Sequence, residues 1–304
     1  MDGERYSYGG QAVLEGVMMR GRRQATVAVR SPSGAVALKH IPLPQRQRSW
    51  LSQLPLVRGI VALREAFVIG KTSLDFSADV AFGNDDQTPA IIQALIGVVA
   101  LAIGIAIFVV LPSLVAHAIG SYGIPVLLRE AIEGLMNLAL VVAYIFAISR
   151  LPDIQRVFGY HGAEHKVINA LEAGAPLTTE SVRTFSRIHP RCGTSFLVIV
   201  TLIGFMIFLA VSGLPLWLRI GARIVLIPVV AAVAFEAMRF AASYYAWPWV
   251  QRLLAPTLAT QYLTTREPDD AMIDTAIAAL LPVLAADGVM VEQSVEQAAF
   301  VLST

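Results

Sequence analysis

A nearly charge-free run of residues, 90–116, constrains this chain more than any other feature. As a helix it is long enough to cross the roughly 30 Å hydrocarbon core of a bilayer. Three more apolar runs follow, at about 132–149, 195–214 and 220–242. The second carries Glu133 near its start, and the fourth contains Glu236 and Arg239. Pro112, Pro215 and Pro228 are expected to kink or end helices, which a packed bundle tolerates. Of the 304 residues 56% are hydrophobic and only 15% charged, the balance of an integral membrane protein with substantial polar parts. The expected fold is therefore mainly α, an integral membrane protein with about four transmembrane helices and a small cytoplasmic α+β part.

Charge placement sets the expected orientation. Residues 1–90 hold eleven Lys and Arg and residues 150–191 hold six, whereas the two short connections on the other side hold Arg129, Arg219 and Arg223. Positive charge collects on the cytoplasmic side, so both termini and the central connection are expected there, in a multi-pass protein of the cytoplasmic membrane. The N-terminal stretch lacks the apolar core of a cleaved leader. A net charge of +1 with no basic field gives no reason to expect a nucleic-acid partner. The lone cysteine excludes an intrachain disulfide. The expected organisation is a Gly-rich β-hairpin region plus amphipathic helix (1–89), two transmembrane helices (90–149), a His/Cys connection (150–194), two more transmembrane helices (195–246) and C-terminal amphipathic helices (247–304).

Within the polar parts, residues 25–30 and 35–38 flank Ser31-Pro32-Ser33-Gly34 and read as a β-hairpin. Leu56, Ile60, Leu63, Phe67 and Leu74 recur at helical spacing, predicting an amphipathic helix over 56–78. A second helix is expected over 271–286, with Thr265 as its N-cap and Asp269 and Asp270 at the positive end of its dipole.

The residues with chemistry lie between the second and third spans. On a helix, His161 and His165 share a face one turn apart and can meet one ion, with Glu164 close by as a base. This is the H-x-x-E-H order of inverted zinc peptidases. Downstream, His189 and Cys192 offer a third and fourth ligand, and imidazole with thiolate suits zinc. Four protein ligands would make a closed, structural site, and three would leave a catalytic one. Cys192 has a competing role as a nucleophile served by a histidine base. Glu236 is a second-tier ligand candidate, though an ion pair with Arg239 three residues on also accounts for it. Glu172 is expected to run out into solvent. The glycine-rich stretch from Tyr8 to Gly21 carries Gln11, Glu15 and Arg20 as polar handles that could bind substrate or cap the site.

The stretches Tyr8-Gly9-Gly10-Gln11-Ala12-Val13-Leu14-Glu15-Gly16, Tyr160-His161-Gly162-Ala163-Glu164-His165-Lys166, His189-Pro190-Arg191-Cys192-Gly193 and Leu263-Thr264-Thr265-Arg266-Glu267-Pro268 together resemble the YqhQ-like family of bacterial membrane proteins. The resemblance covers nearly the whole chain. It implies a membrane location, a metal-dependent activity, and a centre at His161, Glu164, His165, His189 and Cys192. Two functions of different class follow. One is a metal-dependent hydrolase at the cytoplasmic membrane face, holding a divalent ion such as zinc and acting on a membrane peptide or a lipid headgroup. The other is a non-catalytic membrane metalloprotein that serves as a scaffold for other membrane proteins. Transport is weaker, because Glu133 and Glu236 are the only carboxylates in the expected spans.

Overall fold

The computed structural model describes residues 8–43, 54–83 and 89–289. Expectations for the two chain ends fall on residues outside these. The chain opens with four strands, β1 (Gly9–Val13), β2 (Gly16–Arg20), β3 (Gln24–Arg30) and β4 (Val36–Pro42), in an antiparallel meander of order β1-β2-β3-β4. The turn at Ser31-Pro32-Ser33-Gly34 closes as expected: Gly34 takes φ 90°, and Ser31 N–H donates to Ala35 O at 2.8 Å. The tighter β1–β2 turn places Glu15 at φ 52°.

Both faces of the sheet are apolar, because each is covered by helix. Val13, Met18, Ala25, Val27 and Val29 point to α1 (Val57–Phe82), where Ile69 meets them. Val17, Met19 and Ala28 point the other way, into the core shared with α5 (Pro152–Glu172) and α11 (Asp270–Ala286). The period-2 alternation of the strands sorts these two sets. Segments remote in sequence thus form one three-layer body. The α11 helix starts where expected, but its cap is Asp269, whose carboxylate accepts Met272 N–H at 2.8 Å. Thr265 instead donates its hydroxyl to Gln261 O at 2.7 Å. The acidic residue immediately before the first turn is the one within reach of the helix's free N–H groups.

The α1 helix packs through its small residues. It buries small residues, Gly59, Gly70, Ser73 and Ser77, against the strands and α8, and leaves Ile60, Phe67 and Leu74 exposed. A Cβ on Gly59 would lie 3.2 Å from Ala232, so backbone approach rather than side-chain bulk fixes this contact.

Three helices are long and apolar enough to cross a membrane: Ile91–Gly120, Val126–Ile148 and Leu216–Ser243. The first joins α2 (Ala90–Ile105) to α3 (Leu111–Gly120) through a π-helical turn at Ala106–Val110. That turn sits just ahead of Pro112, which has no N–H to close the next α-helical bond. The second and third are α4 (Val126–Ile148) and α8 (Leu216–Ser243). The fourth expected span is shorter: α7 (Gly193–Phe208) ends in a 3₁₀ turn, and its apolar part is Phe196–Val211. It still runs the length of the bundle. Arg129, at the start of α4, donates to Ser212 O at 3.0 Å just beyond α7.

Inside the bundle lies an ion network that the apolar windows hid. Glu130 and Glu133 of α4 meet Arg223 of α8, with Arg223 Nη2 2.6 Å from Glu130 Oε2 and Nη1 paired with Glu133. Ser113 of α3 donates to Glu133 Oε1 at 3.0 Å, and Arg219 donates to Ser113 O at 3.1 Å. All are buried. The helices α4 and α8 begin earlier than their apolar windows, so Glu130 and Arg219 are intrahelical rather than loop residues, and Arg223, assigned above to the connection, lies two turns into α8. The expectation of Glu133 and Glu236 as the only carboxylates in the spans is corrected accordingly.

Candidate functional site

The site is built on α5, which opens with Pro152 in its first turn and Asp153 beside the free N–H groups. One face of this helix carries His161, Glu164 and His165, with the two imidazole centroids 4.4 Å apart. Each ring is oriented by a backbone carbonyl. His161 Nδ1 donates to Thr264 O at 2.8 Å, and His165 Nδ1 donates to Arg187 O at 2.7 Å. A carbonyl only accepts, so each Nδ1 carries the proton and each Nε2 keeps its lone pair. That is the support a metal-binding histidine needs.

Cys192 completes the group from the N-cap of α7. Its Sγ lies 3.2 Å from His161 Nε2 and accepts Thr194 N–H at 3.4 Å. The donor atoms of His161, His165 and Cys192 all lie within 4.8 Å of one another. Tetrahedral zinc at its usual bond lengths sets ligand atoms about 3.3–3.8 Å apart. The His161–Cys192 separation is already near this range, and the widest pair must close by no more than about 1.5 Å, a side-chain adjustment. The residues present fit the ion.

His189 is placed differently from expectation. Its ring centroid is 5.8 Å from that of His165, outside the converging three. Its Nε2 faces Glu172 Oε2 at 3.4 Å, and its Nδ1 accepts Arg191 N–H at 3.3 Å. Glu172 is exposed at the end of α5, as expected, yet it faces His189 and pairs with Arg191. Gln261 fixes the His189 backbone, accepting its N–H at 3.0 Å and donating to its carbonyl at 2.8 Å.

Glu164 is buried, and its Oε1 accepts Gly10 N–H from β1 at 2.9 Å. Burial pushes its carboxyl above the usual carboxylate range, partly opposed by His161 and His189. Burial pushes His165 and His189 below the usual imidazole range, favouring the neutral form that binds metal. Gly10 cannot be replaced cheaply, since a Cβ there would lie 2.4 Å from Met18 O and 3.1 Å from Glu164 Cγ.

A cavity of about 440 Å³ opens over His161, Glu164, His165 and Cys192, with Gln11 in its wall. Of the three polar handles expected at the site, Gln11 lies in the wall of this cavity. Glu15 does not: Arg156 Nε donates to it at 2.5 Å and Tyr160 Oη at 3.4 Å, a cluster that ties the β1–β2 turn to α5. Arg20 lies outside this cavity, paired with Glu65 at 2.8 Å. Glu236 is also outside it, accepting from Arg58 Nε at 2.6 Å rather than pairing with Arg239. Sequence reasoning missed the Gly10 amide, the Thr264 and Arg187 carbonyls and Glu172. Backbone groups carry no residue-type signal.

The Thr264 carbonyl belongs to a strap laid across α5, where Arg266 N–H donates to Phe158 O at 2.8 Å. A Cβ on Gly162 would lie 2.1 Å from Arg266 O. Gly162→Ala is therefore expected to lift the strap, costing about 1–3 kcal/mol of stability. Thermal unfolding of the purified chain checks this. An unchanged melting temperature would show that the strap yields freely.

Residues 54–286 match the family described as "Protein of unknown function (DUF1385)". The "Uncharacterized protein YqhQ" of Bacillus subtilis (strain 168) is 35% identical over 287 residues, covering 89% of this chain and 90% of the relative. No solved structure matches the chain. On both the family match and the extent of the likeness to YqhQ, the chain belongs to the DUF1385 family.

Proposed function

We propose that this chain is a metal-dependent hydrolase of the bacterial cytoplasmic membrane, working at the membrane's cytoplasmic face. The observation that carries the reading is a three-residue donor set, His161, His165 and Cys192, beside a buried carboxylate and an accessible cavity. Three protein ligands leave a coordination position free, as catalytic zinc sites do. A structural staple needs a fourth ligand, and the nearest histidine, His189, has both ring nitrogens engaged. A divalent ion held there supplies Lewis-acid polarisation and lowers the pKa of water towards neutrality.

The chain's own residues do the rest. Glu164 keeps Oε1 on the Gly10 amide, while its Oε2 has no hydrogen bond among the described residues. That oxygen takes the proton of the attacking water and returns it to the leaving group. A carboxyl raised above its ordinary range suits both transfers. Gln11 orients the substrate from the cavity wall. The Thr264 and Arg187 carbonyls keep the two imidazoles in register.

The orientation follows from charge. Ser121–Pro125 and Ser212–Pro215 contain no Lys or Arg, and the nearest cations, Arg129, Arg219 and Arg223, are engaged inside the bundle. Lys and Arg collect instead in residues 1–90, which hold eleven, and 150–191, which hold six, so this side of the molecule, with the sheet and α5, faces the cytoplasm. With α7 crossing alongside the three longer helices, the chain passes the bilayer four times.

The test is metal analysis of full-length protein purified without chelators and under anaerobic conditions. About one zinc per chain is expected, lost on His161→Ala or His165→Ala. Absence of stoichiometric metal from the unaltered protein would sink the proposal and turn attention to the Cys192–His161 pair as nucleophile and base.

A further inference from the structure

A second cavity, of about 660 Å³, adjoins the first and shares Gly9, Gly10, Gln11 and Arg191 with it. It lies between α1 and the last turns of α8, floored by apolar side chains such as Ile69, Phe235 and Met238. Its charged lining residues are all arginines: Arg20, Arg191 and Arg239. Arg20 and Arg191 are neutralised by Glu65 and Glu172, neither of which lines the groove. The Arg239 guanidinium makes no hydrogen bond or ion pair among the described residues, and Glu236, the carboxylate whose charge it feels, is already held by Arg58. The groove therefore has an apolar floor and a surplus of one positive charge.

Its depth is marked independently. Just past the groove, Phe240, Tyr244, Trp247 and Trp249 stack in sequence, with successive centroids 4.6, 5.1 and 6.0 Å apart, and all four are exposed. Exposed aromatic residues at the end of a membrane-length helix mark the headgroup level. On the α1 side of the groove, the exposed Ile60, Phe67 and Val68 give the apolar surface a lipid boundary would cover.

We infer that this groove binds an anionic phospholipid, its acyl chains against α1 and α8 and its phosphodiester between Arg239, Arg20 and Arg191. The single surplus charge matches the single charge of a phosphodiester, and guanidinium groups suit phosphate oxygens. Because the two cavities share a wall, the headgroup of the bound lipid reaches past Arg191 towards Glu164 and Cys192. Resting on the hydrolase reading, this names the substrate class as a lipid rather than a peptide.

Native mass spectrometry of the full-length protein in detergent tests it, with phosphatidylglycerol and the matching diacylglycerol as probes. The unaltered protein should retain phosphatidylglycerol at least about tenfold better than diacylglycerol, as expected from charge-assisted contacts to phosphate. Arg20→Gln with Arg239→Gln should remove that preference and leave zinc content unchanged. Arg239→Glu alone, at an exposed and unpaired position, should do the same without risk to folding. Equal retention of the two lipids, or equal phosphatidylglycerol binding by Arg239→Glu, would overturn the inference. So would displacement of the lipid by glycerol phosphate at matching concentration, which would identify a soluble phosphate ligand. Lipid selectivity in a protein without zinc would keep the groove and remove the hydrolase. Zinc without lipid selectivity would do the reverse.

Discussion

Glu164→Gln is expected to lower turnover by about 10²–10⁴-fold while the metal content stays the same, because general base catalysis is worth that much. The glutamine carbonyl still accepts the Gly10 N–H that holds the carboxylate at 2.9 Å, so the strand–helix contact survives. Only the proton acceptor is removed. The same substitution should stabilise the metal-stripped protein. Burial raises the carboxyl pKa in the folded state, so the stability it contributes is present below the unfolded value and is lost as pH rises through the folded one. Glutamine has no such loss. The gap in melting temperature should widen as pH rises above the ordinary carboxylate range. Burial lowers His165 in both proteins, whereas loss of the Glu164 charge lowers His189 further, which costs the variant stability at low pH and widens the gap in the same direction. A variant with full turnover would remove Glu164 from the chemistry, and a gap that narrows with pH would show that its carboxyl is not raised.

The second large effect lies in the bundle. Glu133→Leu leaves Arg223 sharing Glu130 with Arg219 and Arg129, a buried excess of positive charge. Breaking a buried pair from one side costs about 3–5 kcal/mol, which should appear as a large drop in thermal stability. The double change Glu133→Leu with Arg223→Leu should recover much of it, since removing both partners takes away the desolvation cost as well as the attraction. If the double variant is as weak as the sum of the singles, the two residues do not act as a pair. Metal binding should survive in the double variant, because none of these residues reaches the His–Cys group.

Much of this was legible in the sequence. The β3–β4 hairpin followed from its turn residues, and α11 from its periodicity. His161, Glu164 and His165 share a face because helical spacing dictates it, and Cys192 joins them as the sequence order allowed. Other features depended on partners far away in the chain. Glu236 found Arg58, 178 positions away, instead of its neighbour Arg239. His189 was diverted to Glu172, because the turn after it aims its ring at the end of α5. The packing of α1 stayed open because periodicity reports which residues are apolar, not whether sheet, neighbouring helix or lipid will cover them. The network at Glu130 and Arg223 was obscured because a hydropathy window counts charges without seeing that they cancel.

The carbonyl that orients His161 has a consequence for the order in which the cluster is assembled. Thr264 is made 103 positions after the histidine it fixes, a delay of about 5–20 s at ordinary rates of synthesis. Until the chain has emerged past all four apolar helices, the imidazole has no acceptor for its Nδ1 proton. A nascent or truncated chain thus lacks this support, and the His–Cys group is set in register only after the last apolar helix has been made.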